Sequence, residues 1–189
     1  GVAPNATLIV RRRTVDSNTV QTTAVISNGA VSSNHSYGLH AAGAGYLGVD
    51  RQYDQLVRDA DTTTGAVAEP LIIVFSSGNS GNAGPTKEPK NTITVASSRN
   101  QRDGVGNPGI GDIETIVAGS SRGPAGDGRL YPHVSAPGGN VISTRDAGAP
   151  TSCEVISVGA PAADPTYSTC NGTSMAAPHV TGSVALITE

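Results

Sequence analysis

Ser174 stands in the run Asn171-Gly172-Thr173-Ser174-Met175-Ala176-Ala177-Pro178-His179-Val180, an arrangement that can present a hydroxyl nucleophile. Gly172 gives the chain conformational freedom just before the serine, and Thr173 is placed to act as a helix N-cap. Ser174 would then sit in the first helical turn, beside backbone N–H groups that have no intrahelical acceptor. Those donors and the positive end of the helix dipole can stabilise an oxyanion forming on a substrate carbonyl. Met175, Val180, Val184 and Ile187 recur at helical spacing among small residues, which predicts a tightly packed, mostly buried helix behind the serine. Pro178 is tolerable near the start of that helix. Taken alone, Gly172-Thr173-Ser174 reads as an ordinary cap ahead of an alanine-rich core helix, and it is the full ten-residue run that points to a nucleophile.

A helix of this kind needs a layer to pack on, and short apolar runs bounded by turn residues supply one. Leu8-Ile9-Val10, Ala24-Val25-Ile26, Leu71-Ile72-Ile73-Val74-Phe75, Ile93-Thr94-Val95 and Val141-Ile142 read as buried strands of a largely parallel sheet. Tyr53, Leu56, Val57 and Ala60 fall on one helical stripe that starts near Asp50. Strand, helix and strand in that order imply a crossover in an α/β layer architecture. Between Gly78 and Gly139 the sequence is rich in turn signals, but no shift in composition marks a second domain.

The 189 residues suffice for one domain with a real core, and 37% hydrophobic content agrees with a globular chain. Aromatic residues make up 3%, so the core must be built mainly from Val, Ile, Ala and Leu. The net charge of −3 argues against broad attraction to nucleic acid or an anionic membrane, and Arg11-Arg12-Arg13 stands alone as a solvated strand end. No apolar stretch approaches the length needed to span a bilayer. Cys153 and Cys170 lack the spacing of a zinc site. Paired, they would close a loop just before Ser174 and stabilise by about 3 kcal/mol; two free buried thiols are the alternative. Gly1-Val2-Ala3-Pro4 has neither the charged start nor the apolar core of a signal peptide. With no initiator Met and a helix pattern barely finished at Glu189, both ends are expected to be cut from something longer.

The whole run around Ser174 resembles the nucleophile motif of the subtilisin-like serine peptidases, the subtilases of peptidase family S8. Four further segments resemble subtilase segments in the family's order. Gly1-Val2-Ala3-Pro4-Asn5-Ala6-Thr7-Leu8 is similar to the segment that follows the family's catalytic histidine helix. Asn34-His35-Ser36-Tyr37-Gly38 resembles the strand that pairs with bound peptide and walls the primary specificity pocket. Ser76-Ser77-Gly78-Asn79-Ser80-Gly81 resembles the oxyanion-hole segment. Ser120-Ser121-Arg122-Gly123-Pro124 and Tyr131-Pro132-His133-Val134-Ser135-Ala136-Pro137-Gly138 resemble the loop and strand that precede the nucleophile region.

The resemblance implies an α/β fold of three layers, a largely parallel sheet flanked by helices and incomplete at its N-terminal side. Residues 1–189 would form a single partial catalytic domain. It implies Ser174 as nucleophile and Asn79 as the side-chain oxyanion donor. Ser36, Tyr37 and Gly38 would form the substrate strand, with Ser76, Ser77 and Gly78 on the opposite pocket wall. The substrate would be protein or peptide, the setting secreted or extracellular, and the specificity broad, because the wall residues are small. No cofactor is required for the chemistry, and the sequence leaves a structural calcium site open. His133 stands where an acidic residue is common and is read as structural, so no calcium site carries over from it.

Serine peptidase chemistry also needs a base and a carboxylate that orients it. In subtilases both precede the Gly1-Val2-Ala3-Pro4 segment, so they are expected from the upstream portion of the same domain and the isolated chain is expected to be inactive. His35 is read as a strand residue and His179 as a structural residue of the helix. Gly38-Leu39-His40-Ala41-Ala42-Gly43 echoes the family's histidine motif, but in register Tyr37 holds the histidine's place, which argues against a surrogate triad of Asp16, His40 and Ser174. A non-catalytic peptide-binding module is the rival function. Gly43-Ala44-Gly45-Tyr46-Leu47-Gly48 matches a dinucleotide fingerprint, with Asp61 downstream, but lacks the buried strand such a site requires immediately before it.

Overall fold

The computed structural model of the chain describes residues 2–11, 22–23, 25–61, 68–100, 112–146, 153–155 and 166–188. Four parallel strands, β1 (Ser32–His35), β2 (Ile72–Ser76), β3 (Ile93–Ser98) and β4 (Val134–Pro137), lie side by side in that order, with the apolar β-branched residues concentrated in β2 and β3. The register sets His35 beside Phe75 and Ser76 beside Val95. Parallel order keeps the carboxyl ends of β1 and β2 on the same edge of the sheet.

Side chains alternate along β2, and each face buries a different helix. Ile73 and Phe75 join Tyr53 and Leu56 of α1 (Gly48–Arg58) in one core cluster. Val74, Val95 and Ala136 join Ala176 and Ala177 of α2 (Thr173–Ile187) in the other. The result is a helix, sheet, helix sandwich, as expected from the strand and helix order. Tyr53, Leu56, Ile73 and Phe75 are each at most 1% exposed, and full burial of side chains this size is worth roughly 1.5–3 kcal/mol apiece.

The first turn of α1 is closed by Asp50, whose carboxylate accepts the Leu47 N–H at 2.8 Å, and Arg58 occupies the last turn. Asp50 and Asp54 both lie on the buried face of the helix, where they accept backbone donors from a loop. Glu88 N–H donates to Asp50 at 2.7 Å, and Lys90 and Asn91 N–H both donate to Asp54 at 2.7 Å. In this way α1 grips residues 88–91, directly before β3.

A second, antiparallel sheet comprises β5 (Val141–Thr144), β6 (Glu154–Val155) and β7 (Tyr167–Cys170), with β7 in the middle. Cys153 and Cys170 form a disulfide with their Cα atoms 4.9 Å apart, which decides the question left open by spacing alone. The bridge fastens the end of β7 two residues before Gly172.

Some expected elements differ. Leu8-Ile9-Val10 is not a strand; Leu8 is 84% and Val10 88% exposed, so this apolar run has no strand ladder to join. Val25 and Ile26 are helical, and the strand follows at Ser32–His35. A short apolar run alone does not separate strand from buried helix. The substrate-strand segment leaves regular pairing after His35. Val141-Ile142 is a strand, but in the antiparallel sheet. In α2 the fully buried residues are Thr173, Ala176 and Ala177; of the expected stripe Val180 packs on the same core cluster, while Ile187 is 83% exposed.

His133 is structural, as expected. Its Nδ1 accepts the Thr94 N–H at 3.1 Å and contacts Thr94 Oγ1 at 2.8 Å, while its own N–H donates to the Thr94 carbonyl. Burial, aided by Arg129, lowers its pKa. The stability tied to neutral His133 is therefore present above the ordinary imidazole value of 6.5 and is lost as pH falls through the lower folded value. Thermal melting from pH 7.5 down to pH 5 should show a smaller acid loss for His133→Asn than for the parent; parallel curves would contradict this role.

Candidate active site

At the N-terminus of α2 the sequence folds around a glycine that no other residue could replace without cost. Gly172 is the N-cap with φ 140° and ψ 168°, a conformation that side chains with a Cβ rarely adopt. A Cβ there would also lie 3.2 Å from Asn79 Nδ2. The helix itself begins at Thr173, so Thr173 is the first helical residue and not the expected N-cap.

That shift gives Thr173 another task. Its N–H donates to Asn79 Oδ1 at 3.0 Å and its hydroxyl donates to the same oxygen at 2.9 Å. The hydroxyl oxygen in turn accepts the Gly78 N–H at 3.2 Å. With the carboxamide oxygen held on one side, the Nδ2 donor is the free end of Asn79. Among the described residues neither Asn79 Nδ2 nor the Ser174 N–H has a hydrogen-bond partner. Two unused donors thus lie beside a half-buried serine hydroxyl at a helix N-terminus, a combination suited to a developing oxyanion.

The expected substrate strand meets the serine directly. Ser36 Oγ donates to the Ser174 carbonyl at 3.1 Å, and Ser174 Oγ donates to the Ser36 carbonyl at 3.5 Å. Ser36, Tyr37 and Gly38 continue from the end of β1, while Ser76, Ser77 and Gly78 continue the end of neighbouring β2. The second segment is held from behind: Ser77 Oγ donates to the Ser121 carbonyl at 3.2 Å, and Ser121 N–H donates to the Gly78 carbonyl at 2.8 Å. Tyr131 donates its phenol to the Ser77 carbonyl at 3.3 Å. Burial, with Glu88 and Asp50 nearby, pushes that phenol far above its ordinary pKa and keeps it a donor.

Thr86 and Lys87 were not singled out from sequence, yet they join the two segments. A Cβ added to Gly38 would meet Thr86 Cβ at 3.4 Å, and one added to Gly78 would meet Thr86 Oγ1 at 2.7 Å. Gly78 also has φ 113°, so both its backbone and its surroundings require glycine. The Thr86 carbonyl accepts the N–H groups of Leu39 and His40 at 3.0 and 3.1 Å. Lys87 is 1% exposed, donates to the Tyr37 carbonyl, and lies 3.3 Å from Ser76 Oγ. No periodicity or motif marks a two-residue bridge of this kind.

All four histidines have partners other than Ser174 Oγ. His35 meets Ser33 Oγ and the Tyr37 hydroxyl; His40 lies 3.2 Å from Asp50 and bonds the Ala41 carbonyl. His133 is held by Thr94, and His179 Nδ1 donates to the Met175 carbonyl at 2.9 Å within α2. Asp16 lies outside the described residues. Gly43 to Gly48 follows β1 only after an interval of irregular chain, so the strand required by the dinucleotide fingerprint is not there. Among the described residues no group of three or more His, Cys, Asp or Glu could hold a metal ion.

Known proteins share the fold of this chain. Fervidolysin from Fervidobacterium pennivorans, a keratinolytic enzyme related to subtilisin, is similar over 89% of the chain, with 28% identity and a TM-score of 0.55. The prenylagaramide maturation protease PagA matches 89% of the chain at 19% identity and a TM-score of 0.54. The PatG macrocyclase, solved in complex with peptide, does so at 15% identity and a TM-score of 0.54. The last two likenesses concern the fold. The chain spans 22%, 47% and 40% of these three proteins respectively, less than half of each. The family model described as Subtilase family matches residues 1–189. On that match along its full length, the chain belongs to the subtilase family.

Proposed function

We propose that the chain carries the nucleophile, oxyanion and substrate-strand portion of a serine endopeptidase. The observation that carries this reading is the convergence of Ser174 with two unpaired donors, Asn79 Nδ2 and its own N–H, beside the Ser36–Gly38 segment. Family membership supports it. In the proposed reaction an extended peptide lies along Ser36, Tyr37 and Gly38, with its scissile carbonyl at Ser174. Ser174 Oγ gives its proton to a histidine base and bonds the carbonyl carbon; Asn79 Nδ2 and the Ser174 N–H receive the oxyanion. The carbon–nitrogen bond then breaks, the base returns the proton to the departing amine, and water hydrolyses the acyl-enzyme.

The base and its carboxylate are assigned to sequence other than these 189 residues, because each of the four histidines here has a different partner. The chain by itself is accordingly proposed to be inactive. The chemistry as written requires no cofactor. The Cys153–Cys170 bridge supports an oxidising, extracellular setting. A non-catalytic peptide-binding module is the second reading, favoured by the donation of Ser174 Oγ to the Ser36 carbonyl, which leaves the hydroxyl without an activating partner.

Two measurements separate these readings. Joined to a subtilase-type Asp and His segment, the chain should be labelled by a serine-directed phosphonate, and Ser174→Ala should abolish labelling; saturable peptide binding with no labelling of the joined protein would favour the binding module. In the same joined protein Asn79→Ala should lower kcat by about 10²–10³-fold with little change in KM, a magnitude that comes from subtilisin itself. An unchanged kcat would remove Asn79 from the oxyanion site.

A further inference from the structure

Lys87 is a buried ionisable group that the proposed chemistry leaves unused. It sits on the loop before β3, 1% exposed, with its ammonium between the two segments that continue β1 and β2. On one side it donates to the Tyr37 carbonyl, in the middle of the proposed substrate strand. On the other it lies 3.3 Å from Ser76 Oγ, at the start of the opposite wall. The Phe75 ring is beneath it, 5.6 Å from Nζ to the centroid. Its neighbour Thr86 occupies the space that a Cβ on either Gly38 or Gly78 would need. The site between the walls is therefore spanned from behind by two consecutive residues, one by packing and one by charge-assisted hydrogen bonds.

We infer that Lys87 is a positioning residue for peptide binding, its ammonium fixing the Ser36–Gly38 strand at a set distance from the Ser76–Gly78 wall. The inference rests on the proposed peptidase reading of the same cleft. A carbonyl held by an ammonium is a rigid point in the strand, so the donors and acceptors of Ser36 and Gly38 on either side are pre-aligned for an incoming peptide. Loss of the charge leaves a neutral amine with weaker donors and lets the strand shift. The effect belongs to binding, because among the described residues the Lys87 ammonium hydrogen-bonds to Tyr37 and Ser76 and to neither Ser174 nor Asn79.

The charge is held in a balance of named groups. Burial lowers the Lys87 pKa from 10.5 to about 7, against the opposing attraction of Asp50 on α1. Asp50 is itself engaged by the Leu47 and Glu88 N–H groups and by His40. Glu88, next in the chain, turns Oε2 to the Gly126 N–H at 2.8 Å. From β1 and α1, His35 and Tyr53 both contact the Tyr37 hydroxyl, and both pack on Phe75. Because the folded pKa is below the unfolded one, the fold bears the cost of the buried charge at low pH, and this group's contribution to stability improves as pH rises from about 7 to 10.5. Peptide affinity should move the opposite way, falling as Lys87 loses its proton.

The test uses the full 189-residue chain and a dye-labelled pentapeptide ending in leucine, with fluorescence anisotropy read from pH 6 to pH 9. The parent should bind about tenfold more weakly at pH 9 than at pH 6, from the loss of a charge-assisted hydrogen bond. Lys87→Met should bind at pH 6 as weakly as the parent does at pH 9, and should vary little with pH. Lys87→Arg, which keeps its charge, should retain affinity at pH 9. Melting at pH 6 should show Lys87→Met at least as stable as the parent, which separates positioning from a folding defect. If the parent binds and Lys87→Met follows it in affinity and pH course, the inference falls while the cleft reading stands. Should Lys87→Met fail to fold, a parent affinity that is flat across the pH range overturns the inference by itself. If the parent binds no peptide at any pH, the cleft reading falls and takes the inference with it.

Discussion

The carboxamide oxygen of Asn79 and the first turn of α2 hold each other, and the rest of the site depends on that contact. Thr173 offers Asn79 Oδ1 both its N–H and its hydroxyl, and receives the Gly78 N–H on the same hydroxyl oxygen. Hydrogen bonds of this kind contribute about 1 kcal/mol each, small beside the burial of the two cores. Their value lies in direction. With the oxygen occupied, the amide can present only Nδ2, and it does so next to the serine that follows Thr173. Gly172 has to be glycine for the same reason, since a Cβ would press on the amide.

Two layers on opposite faces of the sheet cooperate to keep that contact in place. On one face Ala176 and Ala177 seat α2 against Val74 and Val95, with side chains small enough for close approach of the helix. On the other, α1 buries two carboxylates that are paired with backbone N–H groups of the loop before β3. Buried carboxylates are costly unless satisfied; here they fix the course of the chain that also carries Thr86 and Lys87. The end of β2 is thus set from the α2 side through Thr173 and from the α1 side through the Asp50 loop. The antiparallel sheet adds a third restraint, because the disulfide and the Gly172 N–H to Gly138 carbonyl bond at 2.8 Å anchor the approach to α2.

Much of this was legible in the sequence wherever a residue's type alone dictates its role. The runs Leu71–Phe75 and Ile93–Val95 are rich in β-branched residues, and both supply strands. Of the expected helical stripe, Tyr53 and Leu56 are buried on α1, Val57 is half-buried against the same cluster, and Ala60 is buried just beyond the helix end at Arg58. Ser174 and Asn79 are adjacent in the fold, as the motifs implied. Leu8-Ile9-Val10 misled because hydrophobicity does not report whether a partner strand is within reach. The strand near Val25 was misplaced because a short apolar run fits a helical turn equally well. Thr173 was read as a cap from local preference, whereas its hydroxyl is engaged by a residue 94 positions away. Lys87 could not be read at all: lysine in a loop is ordinarily solvated, and only the tertiary fold closes Phe75, Tyr37 and Ser76 around it.

The central claim is that Ser174, Asn79 and the Ser36–Gly38 segment form one surface for an extended peptide. Its most direct test is a titration of the isotope-labelled chain with a peptide boronic acid, followed residue by residue by nuclear magnetic resonance. The largest shifts should fall at the Ser36 and Gly38 amides, the Asn79 side-chain amide and the Ser174 N–H, with saturation at a single site. Shifts confined to other surfaces, or an Asn79 side chain unmoved at saturation, would contradict it.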